Sequence, residues 1–238
     1  MPTTPEVKTA GRTSRKRPAA RPSTIVLLVR HGATPTTGKV LPGRAPGLHL
    51  AEAGRQQAAT VAERLRAWSL AGRNAKVPEP RIRAVYSSPL ERTRETAAPI
   101  AEALGVKVQA HRGLLECDFG EWTGGELREL MKRPEWTTVQ RYPSGFRFPG
   151  GESFTGMQAR MLDTLSELCR RHPGEAVVAV SHADPIKAAV ADALGSHLDL
   201  FQRVVISPCS VTAVSYGPVG PTVLAVNSTP SLTDLVPS

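Results

Sequence analysis

The chain alternates short continuous apolar runs with longer stretches in which apolar positions recur every three or four residues. "TIVLLV", residues 24–29, has the length and β-branched content of a buried strand. "LAEAGRQQAATVAERLRAW" then places Leu50, Ala53, Ala58, Val61, Leu65 and Trp68 close to helical spacing. "RIRAVYSS" predicts a second strand and "LERTRETAAPIAEAL" a second helix, closed by Gly105 in the left-handed conformation that ends helices. "VKVQA" is a short strand. The segment from Gly113 to Phe148 has no period and is interrupted by Gly and Pro. A long helix is expected from about Glu152 to His172, then a strand in "EAVVAVS" and a helix in "PIKAAVADAL". "SVTAVSYG" and "TVLAVNS" read as a closing β pair.

Strands that alternate with helices predict an α/β fold: a three-layer sandwich with a mostly parallel central sheet and helices on both faces. No internal repeat interrupts it, so residues 23–230 are expected to form one domain. Residues 1–22 read as a disordered basic tail and 231–238 as a flexible C-terminus.

In an open parallel sheet, ligands gather beyond the carboxyl ends of the strands. The first strand delivers Arg30 and His31 there, and the second delivers Ser87-Ser88-Pro89 with Arg92 one turn into the next helix. "EAVVAVS" delivers Ser181 and His182. Each residue alone has an ordinary structural explanation. Two arginines and two histidines at one sheet edge repel one another unless an anion joins them. The guanidinium fork matches phosphate oxygens, so a phosphoryl group is the natural occupant. Gly32, without a Cβ, lets ligand and neighbouring backbone approach His31. Asp184 before Pro185 reads as an N-cap with proline at N1, a structural role. His49, His111, His172 and His197 stand without partner motifs and read as surface or capping residues.

Composition changes this picture little. The formal charge of +9 raises nucleic acid as a partner, but residues 1–22 hold six basic residues against Glu6 alone. The body is only modestly basic, so no specific nucleic-acid binding is expected; the tail reads first as a solvated extension and second as a weak surface contact. No apolar run is long enough for a membrane span, and no apolar stretch follows the N-terminal charges as a secretory signal would require. Cys117, Cys169 and Cys209 are far apart and odd in number, giving neither a disulfide framework nor metal spacing. A cytoplasmic setting is the expectation, with no cofactor and no metal; a homodimer is left open.

"LVRHGAT", "SSPLERTRETA", "GLLECDFGEWTG" and "VSHADPIKAAV" together resemble, in order and spacing, the histidine phosphatase superfamily, the phosphoglycerate mutase-like proteins. Within it the chain is most similar to the short phosphatase-like members found in actinobacteria. The resemblance runs over about residues 24–227. It implies that His31 is the nucleophile that takes the phosphoryl group, and that Arg30, Arg92 and His182 complete the phosphate pocket. It implies Glu116 as the general acid for the leaving oxygen, and Thr34 as a hydrogen-bonding support of the pocket. A neutral imidazole suits attack on a phosphoryl dianion, and cations on the equatorial oxygens are what phosphoryl transfer chiefly requires.

Departures from the pattern are informative. Many relatives use an asparagine six residues beyond the nucleophile to bind phosphate; here that residue is Thr37, whose hydroxyl offers one donor. Glycolytic mutases follow their Glu with Arg and Tyr, where this chain has Cys117 and Phe119. Phe119, Trp122 and Trp136 either shape the pocket or pack the segment that caps it. The expected function is a metal-independent phosphomonoester hydrolase acting through phosphohistidine on a small phosphorylated metabolite. The alternatives are a cofactor-dependent phosphomutase and a non-catalytic phospho-ligand binding protein.

Overall fold

Val26, Leu28 and Val29 of the first strand are completely buried, because helices cover both faces of the sheet to which it belongs. The computed structural model describes residues 22–71 and 81–231. The tail expected at residues 1–22 and the C-terminus expected at 231–238 lie, except for residues 22 and 231, outside the described residues.

In chain order the elements are β1 (Thr24–Arg30), α1 (Glu52–Ala71), β2 (Ile82–Ser87), α2 (Glu91–Leu104) and β3 (Val108–Ala110). Two short helices, α3 (Leu127–Leu130) and α4 (Trp136–Arg141), and several 3₁₀ turns occupy the aperiodic stretch. Then come α5 (Phe154–Arg171), β4 (Ala176–Ser181), α6 (Ala183–Ala193), β5 (Val211–Gly217) and β6 (Gly220–Ser228). The strands form one sheet in the order β3-β2-β4-β1-β5-β6. Four strands are parallel; β5 runs antiparallel to β1, and β6 antiparallel to β5. Among the described residues no helix is long and apolar enough to cross a membrane.

Alternation along the strands sends side chains to opposite faces. Leu27, Val29, Val85, Val178 and Val180 pack against Val61 and Leu65 of α1 and Ile100 of α2. Val26, Leu28, Val177 and Ala179 pack on the other face against Met161 and Leu165 of α5 and Ile186 of α6. The three layers expected from the sequence are therefore present. A third cluster gathers Phe119, Trp122, Phe146, Phe148, Phe154 and Phe201 beside the sheet. It gives the aperiodic segment a core of its own, with Phe119 edge-on to Phe148 at 4.9 Å and Trp122 stacked on Trp136.

Two expectations shift in detail and a third holds. Ala53 faces outward and Gly54 takes the buried position on α1. The N-cap of α6 is His182, so the helix begins at Ala183, and Asp184 and Pro185 lie inside its first turn. Gly105 does close α2, at φ 67°, donating back to the carbonyls of Ala101 and Glu102.

Candidate active site

The adjacent parallel strands β2, β4 and β1 end together, with Ser87 opposite Val180 and Arg30 opposite Ser181. The ladder continues one step further: His31 N–H donates to Ser181 O and Ser88 N–H to Val180 O, both at 3.0 Å. This brings His31, Ser88 and His182 to one edge from three distant parts of the sequence. The next backbone donors after His31 are held one by one. Gly32 N–H goes to Thr96 Oγ1 at 3.0 Å, Ala33 N–H to Gln57 Oε1 at 2.9 Å and Thr34 N–H to Thr37 Oγ1 at 2.8 Å.

His31 is 6% exposed, and its Nδ1–H donates to the carbonyl of Gly32 at 2.8 Å. That bond assigns the proton to Nδ1 and leaves the Nε2 lone pair bare. Burial, followed by the charges of Arg30 and Arg92, holds this imidazole well below its ordinary pKa, so it is neutral. The His182 ring lies 5.2 Å from that of His31 and is completely buried. Its Nδ1 accepts from Arg92 Nη2 at 3.3 Å, and its Nε2 meets the Ser88 hydroxyl at 2.9 Å. Burial and then Arg92 depress its pKa as well.

Arg92 has no exposed surface. It donates from Nη2 to Gly43 O, while Nε and Nη1 have no protein partner; Arg30 donates from Nη1 to Ile206 O, and its Nε has none. Unpaired buried guanidinium donors are costly and mark a site built for an anion. Glu116, in the aperiodic segment, is 8% exposed; Oε1 accepts from the Cys117 N–H, and Oε2 stands 4.0 Å from His182 Nδ1. Burial first and then the charge of Asp184 raise its pKa to about 7.

Above these groups opens a cleft of about 320 Å³ that Arg30, His31, Thr34, Glu116, Phe119 and Lys187 help to line. Two larger hollows exist, one lined by Thr24, Leu162 and Tyr216 at the opposite end of β1 from His31, the other sharing Arg30, Thr34 and Thr37 with the cleft. Among the described residues, no group of three His, Cys, Asp or Glu side chains is arranged to hold a metal ion.

A family model for the histidine phosphatase superfamily, branch 1, matches residues 26–229. The chain belongs to the histidine phosphatase superfamily. Phosphoserine phosphatase 1 of Hydrogenobacter thermophilus is 32% identical over 189 residues, covering 74% of this chain and 79% of that protein. The metal-independent phosphoserine phosphatase of Arabidopsis thaliana is 34% identical over 172 residues, covering 69% and 66%. Among solved structures, a histidine-to-alanine mutant of Entamoeba histolytica phosphoserine phosphatase in complex with phosphoserine superposes with a TM-score of 0.75. It is 25% identical and covers 88% of this chain and 99% of its own. The protein is a phosphomonoesterase of the histidine phosphatase type.

The candidate catalytic and substrate-binding residues of this histidine phosphatase all lie at the cleft or directly behind it: Arg30, His31, Thr34, Thr37 and Glu116 line it, and Arg92 and His182 stand behind them. Thr37 differs in detail, because its hydroxyl is engaged by the Thr34 N–H and Thr34 Oγ1. What crowds Gly32 is backbone of α1: a Cβ there would stand 2.5 Å from Gly54 O. Asp184 is more than a helix start, since it lines the cleft and pairs with Lys187 at 3.5 Å. The sequence placed Ser88 at the sheet edge without showing that it would meet His182, and it carried no sign of Thr96 or Gln57 as supports, because these partners come from other segments. His111 and His197 cap 3₁₀ turns, His49 pairs with Glu95, and His172 bonds Tyr86 and Glu175.

Proposed function

We propose that this phosphatase hydrolyses a small phosphomonoester through a covalent phosphohistidine on His31. The observation that carries the reading is the His31 Nδ1–Gly32 O bond, which leaves Nε2 unprotonated beside the unpaired donors of Arg30 and Arg92. Nε2 attacks phosphorus while the bond to the leaving oxygen breaks, and protonated Glu116 gives its proton to that oxygen. Arg30 and Arg92 neutralise the equatorial oxygens. The Ser88 hydroxyl can donate as well as accept, so once phosphate engages Arg92 it lets His182 keep its proton on Nδ1 and donate a hydrogen bond from there to the same oxygens. Glu116, now a carboxylate, takes a proton from water as the water oxygen attacks phosphorus, the P–N bond breaks, and His31 is restored. No step calls for a metal ion.

Asp184, Lys187 and Gln202 make the outer wall of the cleft polar, which suits a polar substrate. Phosphoserine is the first substrate to test, because relatives carry that name. A phosphomutase reading is less well supported: Cys117 is completely buried and Phe119 nearly so, where glycolytic mutases present Arg and Tyr to substrate. Rapid-quench labelling should trap an acid-labile, base-stable phosphoryl group on the wild type and none on His31→Ala, which should also lose turnover. Turnover near the wild-type rate in His31→Ala would overturn the mechanism.

A further inference from the structure

Glu116 is carried by a stretch without helix or strand, and two arginines hold its backbone instead. Arg160 of α5 donates from Nη1 to the carbonyls of Gly113 at 2.7 Å and Leu115 at 2.9 Å, and from Nη2 to that of Glu116 at 3.3 Å. Arg44, in the loop after β1, donates from Nε to the same Glu116 carbonyl at 2.8 Å. Glu152 ties the two guanidinium groups together. Its Oε1 accepts from Arg160 Nε, and its Oε2 from Arg160 Nη2 and Arg44 Nη2, each at 2.9 Å. Asp118 closes the cluster, accepting from Arg44 Nη1 at 3.5 Å and donating its backbone N–H to Glu152 Oε2 at 3.3 Å.

The composition of the cluster has an electrostatic reason. Two guanidinium groups at the backbone of a general acid would favour its ionised form, which has no proton to give. Glu152 and Asp118 bring two negative charges against the two positive ones. Burial works against ionisation of Glu152, but the hydrogen bond and charge of Arg160, with the charge of Arg44, hold it below the ordinary carboxylate range. The cluster is thus a rigid, nearly neutral brace, and the carboxyl group of Glu116 lies away from it, toward His182.

We propose that Arg44, Glu152 and Arg160 are positioning residues for Glu116, holding its backbone so that the carboxyl reaches the leaving oxygen. The proposal rests on the reading of Glu116 as general acid and adds the device that makes it effective. Small misplacement of a catalytic group costs on the order of 10²-fold in rate. Such a loss must fall on substrates whose leaving group needs a proton. A brace that merely satisfied backbone carbonyls would affect all substrates alike.

The test compares an alkyl phosphate with p-nitrophenyl phosphate in Arg160→Lys, which keeps the charge but loses the fork. The expected kcat/KM falls by about tenfold or more on the alkyl phosphate and by less than about threefold on the aryl one. Arg44→Lys serves the same purpose if Arg160→Lys does not fold, since Arg44 reaches the same carbonyl from another segment. Equal losses on both substrates, or none, would overturn the brace. Glu116→Gln is measured alongside: if it does not distinguish the two substrates, it is the reading of Glu116 as general acid that fails.

Discussion

Oε2 of Glu116 and Nδ1 of His182 stand 4.0 Å apart, with Arg92 Nη2 in contact with the same nitrogen. A carboxyl from the aperiodic segment therefore meets the end of the central sheet at one point. Around it, burial favours the neutral form of both partners. A protonated acid beside a neutral imidazole is the state from which the proposed phosphoryl transfer starts.

The first consequence concerns pH and leaving groups. Glu116 must be protonated to act as an acid, so turnover of alkyl phosphates should fall as pH rises through about 7. Glu116→Gln should lose roughly 10²- to 10⁴-fold on alkyl phosphates, the usual range for general acid catalysis. On p-nitrophenyl phosphate the first step should suffer far less, and phosphohistidine should accumulate because the base for water attack is also gone. Single-turnover kinetics on both substrates measures this. Equal slowing without an accumulating intermediate would mean that Glu116 only orders its own segment.

The same groups link stability to pH. His31 and His182 have depressed pKa values, so their contribution is present above the unfolded value of 6.5 and is lost as pH falls below it. Glu116 has a raised pKa and works in the opposite direction: the folded state keeps its proton between about 7 and the unfolded value of 4.5. The wild type should therefore gain on Glu116→Gln as pH falls through that window, by up to about 1.4 kcal/mol per pH unit. Denaturant melts at several pH values check the difference, and a gap that does not widen toward acid would contradict it.

Arg92 is expected to tolerate no other cation. Lysine retains the charge but cannot serve Gly43 O, His182 Nδ1 and a phosphate oxygen together. Arg92→Lys should lose on the order of 10²-fold or more in kcat/KM, as when one preorganised donor is removed. A loss under about threefold, read by steady-state kinetics, would place the guanidinium outside the reaction.

Gly54→Ala tests the support beneath His31, the proposed nucleophile. In an exposed helix interior this change stabilises by about 1 kcal/mol. Here the added Cβ would meet Ala33 O at 2.1 Å, a backbone atom that cannot swing aside. The propensity gain should be overruled: Tm and kcat should both fall, because the Gly32–Ala33 backbone that orients His31 is displaced. A higher Tm with full activity would show that the crossing of α1 and this loop is looser than its distances imply.

Local pattern alone determined the strands, the main helices and the residues at their ends, because a buried strand must be apolar and a helix must place its apolar positions on one side. Arg30, His31, Arg92 and His182 were legible for that reason: each follows a strongly patterned run by a fixed, short offset. Glu116 was legible only through the resemblance of "GLLECDFGEWTG" to a family motif, since its segment has no period. Tertiary structure alone decided what surrounds these groups. Ser88 under His182, Gly54 against Ala33, and Arg44 joined through Glu152 to Arg160 are contacts between segments up to 108 residues apart. The start of α6 was also decided there: Asp184-Pro185 is a good local helix start, yet β4 ends at Ser181 and the helix follows directly after His182. Periodicity reports which face of an element is buried; it carries no information about which distant backbone carbonyl or carboxylate will be waiting there.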